Sequence, residues 1–126
     1  MRLYFRGELG SGKSTLIRGL LRGLGIQEKV KSPTYTLVEL YVTSRLNLYH
    51  FDFYRFLDES ELADAGLAEY FRGKGICLVE WPERAGNALP LPDLELTLTY
   101  SGTGRAVTAQ AHSPAGERCI AACKDA

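Results

Sequence analysis

The sequence has little cysteine, no net charge and no long apolar run. Its three cysteines are an odd number, which does not suit a disulfide framework and favours a reducing compartment. Fifteen basic side chains face fifteen acidic ones, so the chain lacks the cationic excess that a general nucleic-acid-binding surface needs. No secretory signal is visible, and no apolar run approaches a membrane span. We therefore expect a cytoplasmic protein without membrane contact.

Charge is distributed unevenly along the chain. Residues 1–31 carry seven basic and two acidic side chains, a net charge of about +5. Residues 52–69 carry six acidic side chains against Arg55, a net charge of about −5. Two solvated faces that complement each other explain this pattern. A basic phosphate site beside an acidic surface for docking a partner explains it as well, and both interpretations stay open.

The cysteines make a poor metal motif. Cys119 and Cys123 are spaced like neighbours on a helix, with His112 upstream, but a zinc site needs a fourth ligand and better spacing. Cys77 lies in an apolar run, where a free thiol behaves as a small hydrophobic side chain. We expect no zinc site and a buried Cys77.

A glycine-rich stretch, "GELGSGKS", covers residues 7–14 and fits G-x-x-x-x-G-K-[ST] in full. Glycines let the backbone curl so that successive N–H groups face an anion, and the following helix start adds free N–H groups. Lys13 is then placed to reach β- and γ-phosphates and Ser14 to ligate Mg²⁺. A chance glycine turn is the alternative, but a strand before and an amphipathic helix after favour a nucleotide site. Its predicted binding positions are Gly7, Glu8, Leu9, Gly10, Ser11, Gly12, Lys13, Ser14 and Thr15.

The apolar periodicity predicts an α/β fold. We expect a P-loop NTPase-like three-layer domain over residues 1–112, whose mixed sheet has a parallel core and antiparallel hairpins. Residues 113–126 are either a C-terminal tail or a short helix. The predicted elements are a strand over 2–6, a helix from Lys13 that stops at Gly25, paired strands over 36–43 and 46–51, a helix from Asp58 broken near Gly66, a buried strand in "ICLVEW", and a hairpin of "DLELTLTY" with "RAVTAQAH".

Two carboxylates are candidates for the chemistry. Glu80 ends the buried strand "ICLVEW", where a carboxylate enters the crevice beside the phosphates and can serve magnesium. Asp52 ends the strand of "YHFDFYR" and can orient or deprotonate water, or join the Mg²⁺ shell through water. A salt-bridged strand end is the alternative for Glu80, and pairing with Arg55 is the alternative for Asp52. His50 shares a face with Asp52 and alone would be an ordinary half-buried histidine.

The loop after the first helix offers hydroxyl groups. Ser32 and Thr34 lie where phosphate-loop proteins carry residues that sense a γ-phosphate, but they serve equally well as turn formers. Arg55 either stabilises a transferring phosphoryl group or neutralises the acidic helix. These roles stay open.

Two reaction classes are disfavoured. Neither Asn47 nor Asn87 is followed by lysine, so the Asn-Lys-x-Asp segment by which a GTPase reads guanine is missing. A small-molecule kinase usually has an arginine-rich lid, whereas residues 58–71 are acidic. ATP hydrolysis as a switch or an energy input to a partner remains.

Together these motifs resemble the bacterial TsaE (YjeE) ATPases. The resemblance covers roughly residues 3–106 and is carried by "GELGSGKSTLIRGLLRGLG", "VKSPTYTLVELY", "HFDFYR", "EYF…ICLVEWPER" and "LPDLELTLTY…GR", in that order. The phosphate loop alone is widespread. Its combination with "SPTYTLVE", H-F-D-x-Y-R and "VEWPER" is specific.

The resemblance implies a function in threonylcarbamoyladenosine formation at tRNA position 37, together with TsaD and TsaB. It implies ATP or ADP binding with Mg²⁺ and a weak ATPase activity coupled to the partner complex, while carbamoyl transfer belongs to TsaD. Contact with tRNA would be indirect, through the complex. Glu80 would be the magnesium-associated acid and Asp52 the second catalytic carboxylate. Lys13, which the phosphate-loop motif places at the phosphates, is the third predicted catalytic residue. Trp81 would lie beside the nucleotide and Thr34 in a switch-like loop.

The resemblance has one departure. Family members usually carry one helix and a short strand before the phosphate-loop strand, and this sequence begins without them, which implies a variant start or a truncated reading frame. A switch or docking module that binds nucleotide with negligible hydrolysis is one alternative function. A small-molecule kinase is the other.

Overall fold

The computed structural model describes residues 1–8, 10–30, 37–43, 45–54 and 66–124. Several predictions fall outside these residues and concern Leu9, Ser32, Thr34, Arg55 and the helix expected from Asp58.

The described chain forms six strands, two α-helices and two short 3₁₀ helices. The strands are β1 (Arg2–Arg6), β2 (Val38–Val42), β3 (Asn47–Asp52), β4 (Ile76–Glu80), β5 (Leu94–Ser101) and β6 (Gly104–Ala111). The α-helices are α1 (Lys13–Gly23) and α2 (Pro114–Lys124), and the 3₁₀ helices span Leu67–Phe71 and Pro82–Ala88.

The strands form one mixed sheet in the order β2-β3-β4-β1-β5-β6. Strands β3, β4, β1 and β5 are parallel to one another, and β2 and β6 add antiparallel edges beside β3 and β5. This confirms the predicted fold class, including both hairpins.

Side chains of successive strand residues alternate between two hydrophobic cores. On one face, α1 buries Ile17 and Leu21 against Leu3, Phe5 and other sheet residues, and α2 adds partly buried side chains. On the other face, the core contains Tyr4, Phe51, Val79 and Cys77, covered by residues of the two 3₁₀ helices. Strand β4 reads as a continuous apolar run because both of its faces are buried.

The first helix ends as predicted, at a glycine. Gly25 has φ +95°, and its N–H donates to Arg22 O while the Ile26 N–H donates to Leu21 O. This pair of bonds is a Schellman motif, with buried Leu21 and Ile26 supplying its apolar contact. The last α-helical residue is Gly23, two residues before this terminating glycine.

Three expectations need correction. The second strand begins at Val38 and does not include Leu37, because Leu37 has φ +68°, which an extended strand does not allow; residue 36, where the prediction began the strand, lies outside the described residues. Strand β3 extends one residue further, to Asp52, because the β3–β4 ladder continues to the Asp52–Glu80 pair. His50 is buried, at 3% exposure, and not half-buried, since β3 is an interior strand.

Candidate functional site

The carboxyl ends of three parallel strands meet at one edge of the sheet. Glu80, the last residue of β4, is in register with Phe5 on one side and Asp52 on the other. The loop of residues 7–12 leaves β1 at the same edge and leads into α1. The parallel register therefore places both predicted carboxylates beside the glycine-rich loop.

The loop depends on glycine at several positions. Gly7, Gly10 and Gly12 have φ values of +151°, +80° and +105°. At Gly7 a Cβ atom would lie 2.6 Å from Ser11 Oγ and 2.8 Å from the Leu98 carbonyl oxygen, so no side chain fits. Gly12 precedes α1 without a side-chain cap, so the first N–H groups of the helix face the loop.

Lys13 lies across the mouth of the loop. It is 5% exposed, and its Nζ donates to the Gly7 carbonyl oxygen at 2.5 Å. The same ammonium stands 3.5 Å from the centroid of the Trp81 ring, a cation–π contact. Burial lowers the pKa of Lys13, opposed by the nearby carboxylates of Glu80, Glu83 and Asp52. The lysine is thus desolvated but surrounded by negative charge.

Glu80 connects the helix start to β3. Its Oε1 lies 3.4 Å from Ser14 Oγ, and its Oε2 lies 2.8 Å from His50 Nε2. The side chains of His50 and Glu80 are 4% and 6% exposed. A hydroxyl and a carboxylate that face each other at the start of a helix are oxygen ligands of the kind that Mg²⁺ prefers.

Asp52 is buried beside Glu80, at 8% exposure. Its Oδ1 accepts the backbone N–H of Tyr54 at 2.9 Å, which turns the chain away from the sheet after β3. The Phe53 N–H donates to the Glu80 carbonyl oxygen at 3.1 Å and continues the register one residue past the strand. Asp52 is therefore held in place next to Glu80.

The structure adds residues that the sequence did not single out for the site. Arg105 Nε of β6 donates to the Ser11 carbonyl oxygen at 3.1 Å, and its guanidinium lies 4.1 Å from the Tyr100 ring centroid. Tyr54 packs on Trp81 with ring centroids 5.0 Å apart. A strand pattern of alternating side chains gives no signal for such contacts, because they depend on how the hairpin folds over the loop.

The weak zinc motif of His112, Cys119 and Cys123 is the other candidate for a metal site. His112 Nε2 lies 3.3 Å from Glu95 Oε2. Within the described ranges, no three His, Cys, Asp or Glu side chains are grouped to hold a metal ion. This includes the Glu80 region, where Mg²⁺ would need waters and phosphate oxygens besides protein ligands. Cys77 is 1% exposed, as predicted.

The fold and this edge of the sheet define a P-loop NTPase-like α/β domain. The crystal structure of Bacillus subtilis YdiB has the same fold, with a TM-score of 0.79 and 36% sequence identity over 95% of this chain and 74% of that one. Residues 1–107 match the family model "Threonylcarbamoyl adenosine biosynthesis protein TsaE". The chain belongs to the TsaE family.

Curated relatives carry the name tRNA threonylcarbamoyladenosine biosynthesis protein TsaE. The Haemophilus influenzae protein is 43% identical over 120 residues, which are 95% of this chain and 76% of that protein. The Bacillus subtilis protein is 46% identical over 100 residues, 79% of this chain. The chain spans 62% of the length of that second relative. Among the described helices, none combines the length and apolar character needed to cross a bilayer.

Proposed function

We propose that this chain binds ATP or ADP with Mg²⁺ and hydrolyses ATP slowly. The observation that carries the proposal is the approach of Ser14 Oγ to Glu80 Oε1, at 3.4 Å, at the mouth of a complete glycine-rich loop. Nothing in the hydrophobic core requires a hydroxyl and a carboxylate there. Ser14 and Glu80 are the residues that would hold a magnesium ion, which would supply positive charge to a bound nucleotide.

The loop suits a phosphate group. Ser11 Oγ is buried and has no hydrogen-bond partner among the described residues. Gly7 leaves no room for a Cβ beside Ser11 and the Leu98 carbonyl oxygen, so the start of the loop packs closely against β5. The uncapped N–H groups at the start of α1 and the positive end of its helix dipole also face the loop. These features would hold phosphate oxygens, with Ser14 and Glu80 on the magnesium side.

Each of the three predicted catalytic residues has a separate role in the proposed hydrolysis. Magnesium, when bound, supplies positive charge that neutralises the phosphates. Lys13 exchanges the Gly7 carbonyl oxygen for phosphate oxygens and stabilises charge on the leaving group. Asp52, buried next to Glu80, orients a water for attack at the γ-phosphate and accepts its proton. Lys13 would thus stabilise charge, Glu80 would hold the metal, and Asp52 would orient the water.

We further propose that hydrolysis supports threonylcarbamoyladenosine formation at tRNA position 37, with TsaD and TsaB as partners and tRNA met only through their complex. Membership of the TsaE family and the names of the relatives support this setting. The cytoplasm is its expected location. Thr34 and Trp81 are proposed as nucleotide neighbours on the same grounds.

One observation favours a second candidate, a switch that binds nucleotide and hydrolyses almost none. Asp52 Oδ1 already accepts the Tyr54 N–H at 2.9 Å, which reduces its capacity to accept from a water. In that case binding would order the loop for a partner, and phosphate release would not be needed.

Phosphate release separates the two candidates. The purified chain is incubated with ATP and Mg²⁺, alone and with TsaD and TsaB, and inorganic phosphate is measured. Release that rises with the partners and vanishes in Lys13→Ala supports hydrolysis. Calorimetric ATP binding without release supports the switch. Transfer of labelled γ-phosphate to a metabolite would contradict both. Restored modified adenosine in tRNA of cells depleted of their own TsaE tests the biological setting.

A further inference from the structure

We propose that His50 is a positioning residue that fixes the Glu80 carboxylate for magnesium. The inference rests on the proposed function, because it concerns the metal side of the same site.

The position of His50 follows from the sheet. Strands β3 and β4 are parallel and in register, with His50 opposite Leu78 and Asp52 opposite Glu80. His50 therefore lies on the same sheet face as Glu80, one pair further into the sheet. From there its ring reaches Glu80 Oε2 at 2.8 Å, while only 3% of the residue is exposed.

The direction of the bond follows from chemistry. An ionised carboxylate only accepts hydrogen bonds, so the proton must be on His50 Nε2. The other ring nitrogen, Nδ1, is buried and has no hydrogen-bond partner in the described part of the chain. The bond to Glu80 is thus the one polar contact found for the ring there, and it determines which nitrogen carries hydrogen.

The hydrogen bond from His50 also gives the two carboxylate oxygens of Glu80 different roles. Oε2 is held by His50 at 2.8 Å, and Oε1 is left facing Ser14 at 3.4 Å. The His50 contact is the only bond under 3 Å found to the Glu80 side chain among the described residues. Without it, the carboxylate would be free to rotate and Oε1 would lose its orientation toward the hydroxyl. Partners of this kind behind a ligand commonly change metal affinity about 10- to 100-fold.

Two amide variants test the role with little change of size. In His50→Gln the amide nitrogen stands as far from the backbone as Nε2 and can donate to Glu80. In His50→Asn the amide nitrogen corresponds to Nδ1 and falls short. His112→Gln is the matched control, since His112 also lies near a glutamate, Glu95, but that glutamate is not a predicted metal ligand and His112 is exposed.

The readout is the Mg²⁺ concentration that half-saturates ATP-dependent phosphate release or, for a switch, ATP binding. We expect His50→Asn to raise it about tenfold, His50→Gln to stay within about threefold of wild type, and His112→Gln to leave it unchanged. ATP affinity measured in EDTA should not change in any variant. Equal shifts in His50→Gln and His50→Asn would overturn the proposal, because a packing role does not depend on where the donor stands.

A measurement on the unmodified protein keeps the proposal testable if a variant fails to fold. The chain has two histidines, so ¹⁵N spectra of the imidazole nitrogens assign readily. We expect a proton on His50 Nε2 that exchanges slowly with water, and an altered Nε2 signal in Glu80→Ala, with His112 unchanged. A His50 proton on Nδ1 alone would refute the bond. If wild type responds to neither Mg²⁺ nor ATP, the proposed function fails, and the spectrum still decides whether His50 holds Glu80.

Discussion

Replacing Gly7 by alanine should destabilise the fold as well as the loop. The backbone φ of +151° lies in a region that side chains rarely adopt, at a cost of about 1–3 kcal/mol. The new Cβ would stand 2.8 Å from the Leu98 carbonyl oxygen in β5, which the sheet holds in place, and 2.6 Å from Ser11 Oγ. Overpacking of this kind typically costs about 1–3 kcal/mol. We expect a total loss of about 3 kcal/mol.

Two other glycines separate these contributions. Gly25 has φ +95° but open space around its Cβ position, so Gly25→Ala carries the backbone cost alone, about 1 kcal/mol. Gly19 lies inside α1 with nothing within 4 Å and no positive φ, so Gly19→Ala should stabilise the protein by about 1 kcal/mol. The steric part is then the difference between Gly7→Ala and Gly25→Ala.

Urea unfolding followed by circular dichroism measures all three variants. With a slope of about 2 kcal/mol/M, the midpoint should fall by about 1.5 M in Gly7→Ala and 0.5 M in Gly25→Ala, and rise by about 0.5 M in Gly19→Ala. ATP affinity should fall only in Gly7→Ala. A Gly7→Ala midpoint that drops no further than that of Gly25→Ala would refute the steric reasoning.

Three further predictions concern the site and the sheet. Asp52→Ala and Glu80→Ala should each lower partner-stimulated phosphate release about 100-fold, and full release in both would remove them from the site. Trp81 fluorescence should change with Mg²⁺ and ATP, because the Lys13 ammonium 3.5 Å from the ring centroid must move to the phosphates; calorimetric binding with an unchanged spectrum would disagree. Burial acts to raise the pKa of Asp93, but bonds from a serine hydroxyl and a backbone N–H hold it below its usual value. A carboxyl group whose pKa is lower in the folded protein than in the unfolded chain stabilises the fold at pH values above its unfolded pKa. The free energy of unfolding should therefore fall as the pH drops below about 4, and this fall should be smaller in Asp93→Asn.

Much of the fold was accessible from local patterns. The Schellman glycine, Gly25, was recognisable because a residue with positive φ is usually glycine, and β4 was recognisable as a strand buried on both faces. Leu37 was not, because its φ of +68° contradicts the β-forming run around it. The start of β2 was therefore misplaced.

The candidate site divides in the same way. The sequence determined the glycine-rich loop, since its eight residues are contiguous and the chemistry depends on backbone and spacing. It also placed Glu80 and Asp52 at strand ends. Only the tertiary structure decided that β3 and β4 are neighbours in a register that buries His50 against Glu80, and that Lys13 lies over Trp81. Such contacts join residues up to 68 positions apart, so they depend on the strand order, which local spacing does not encode.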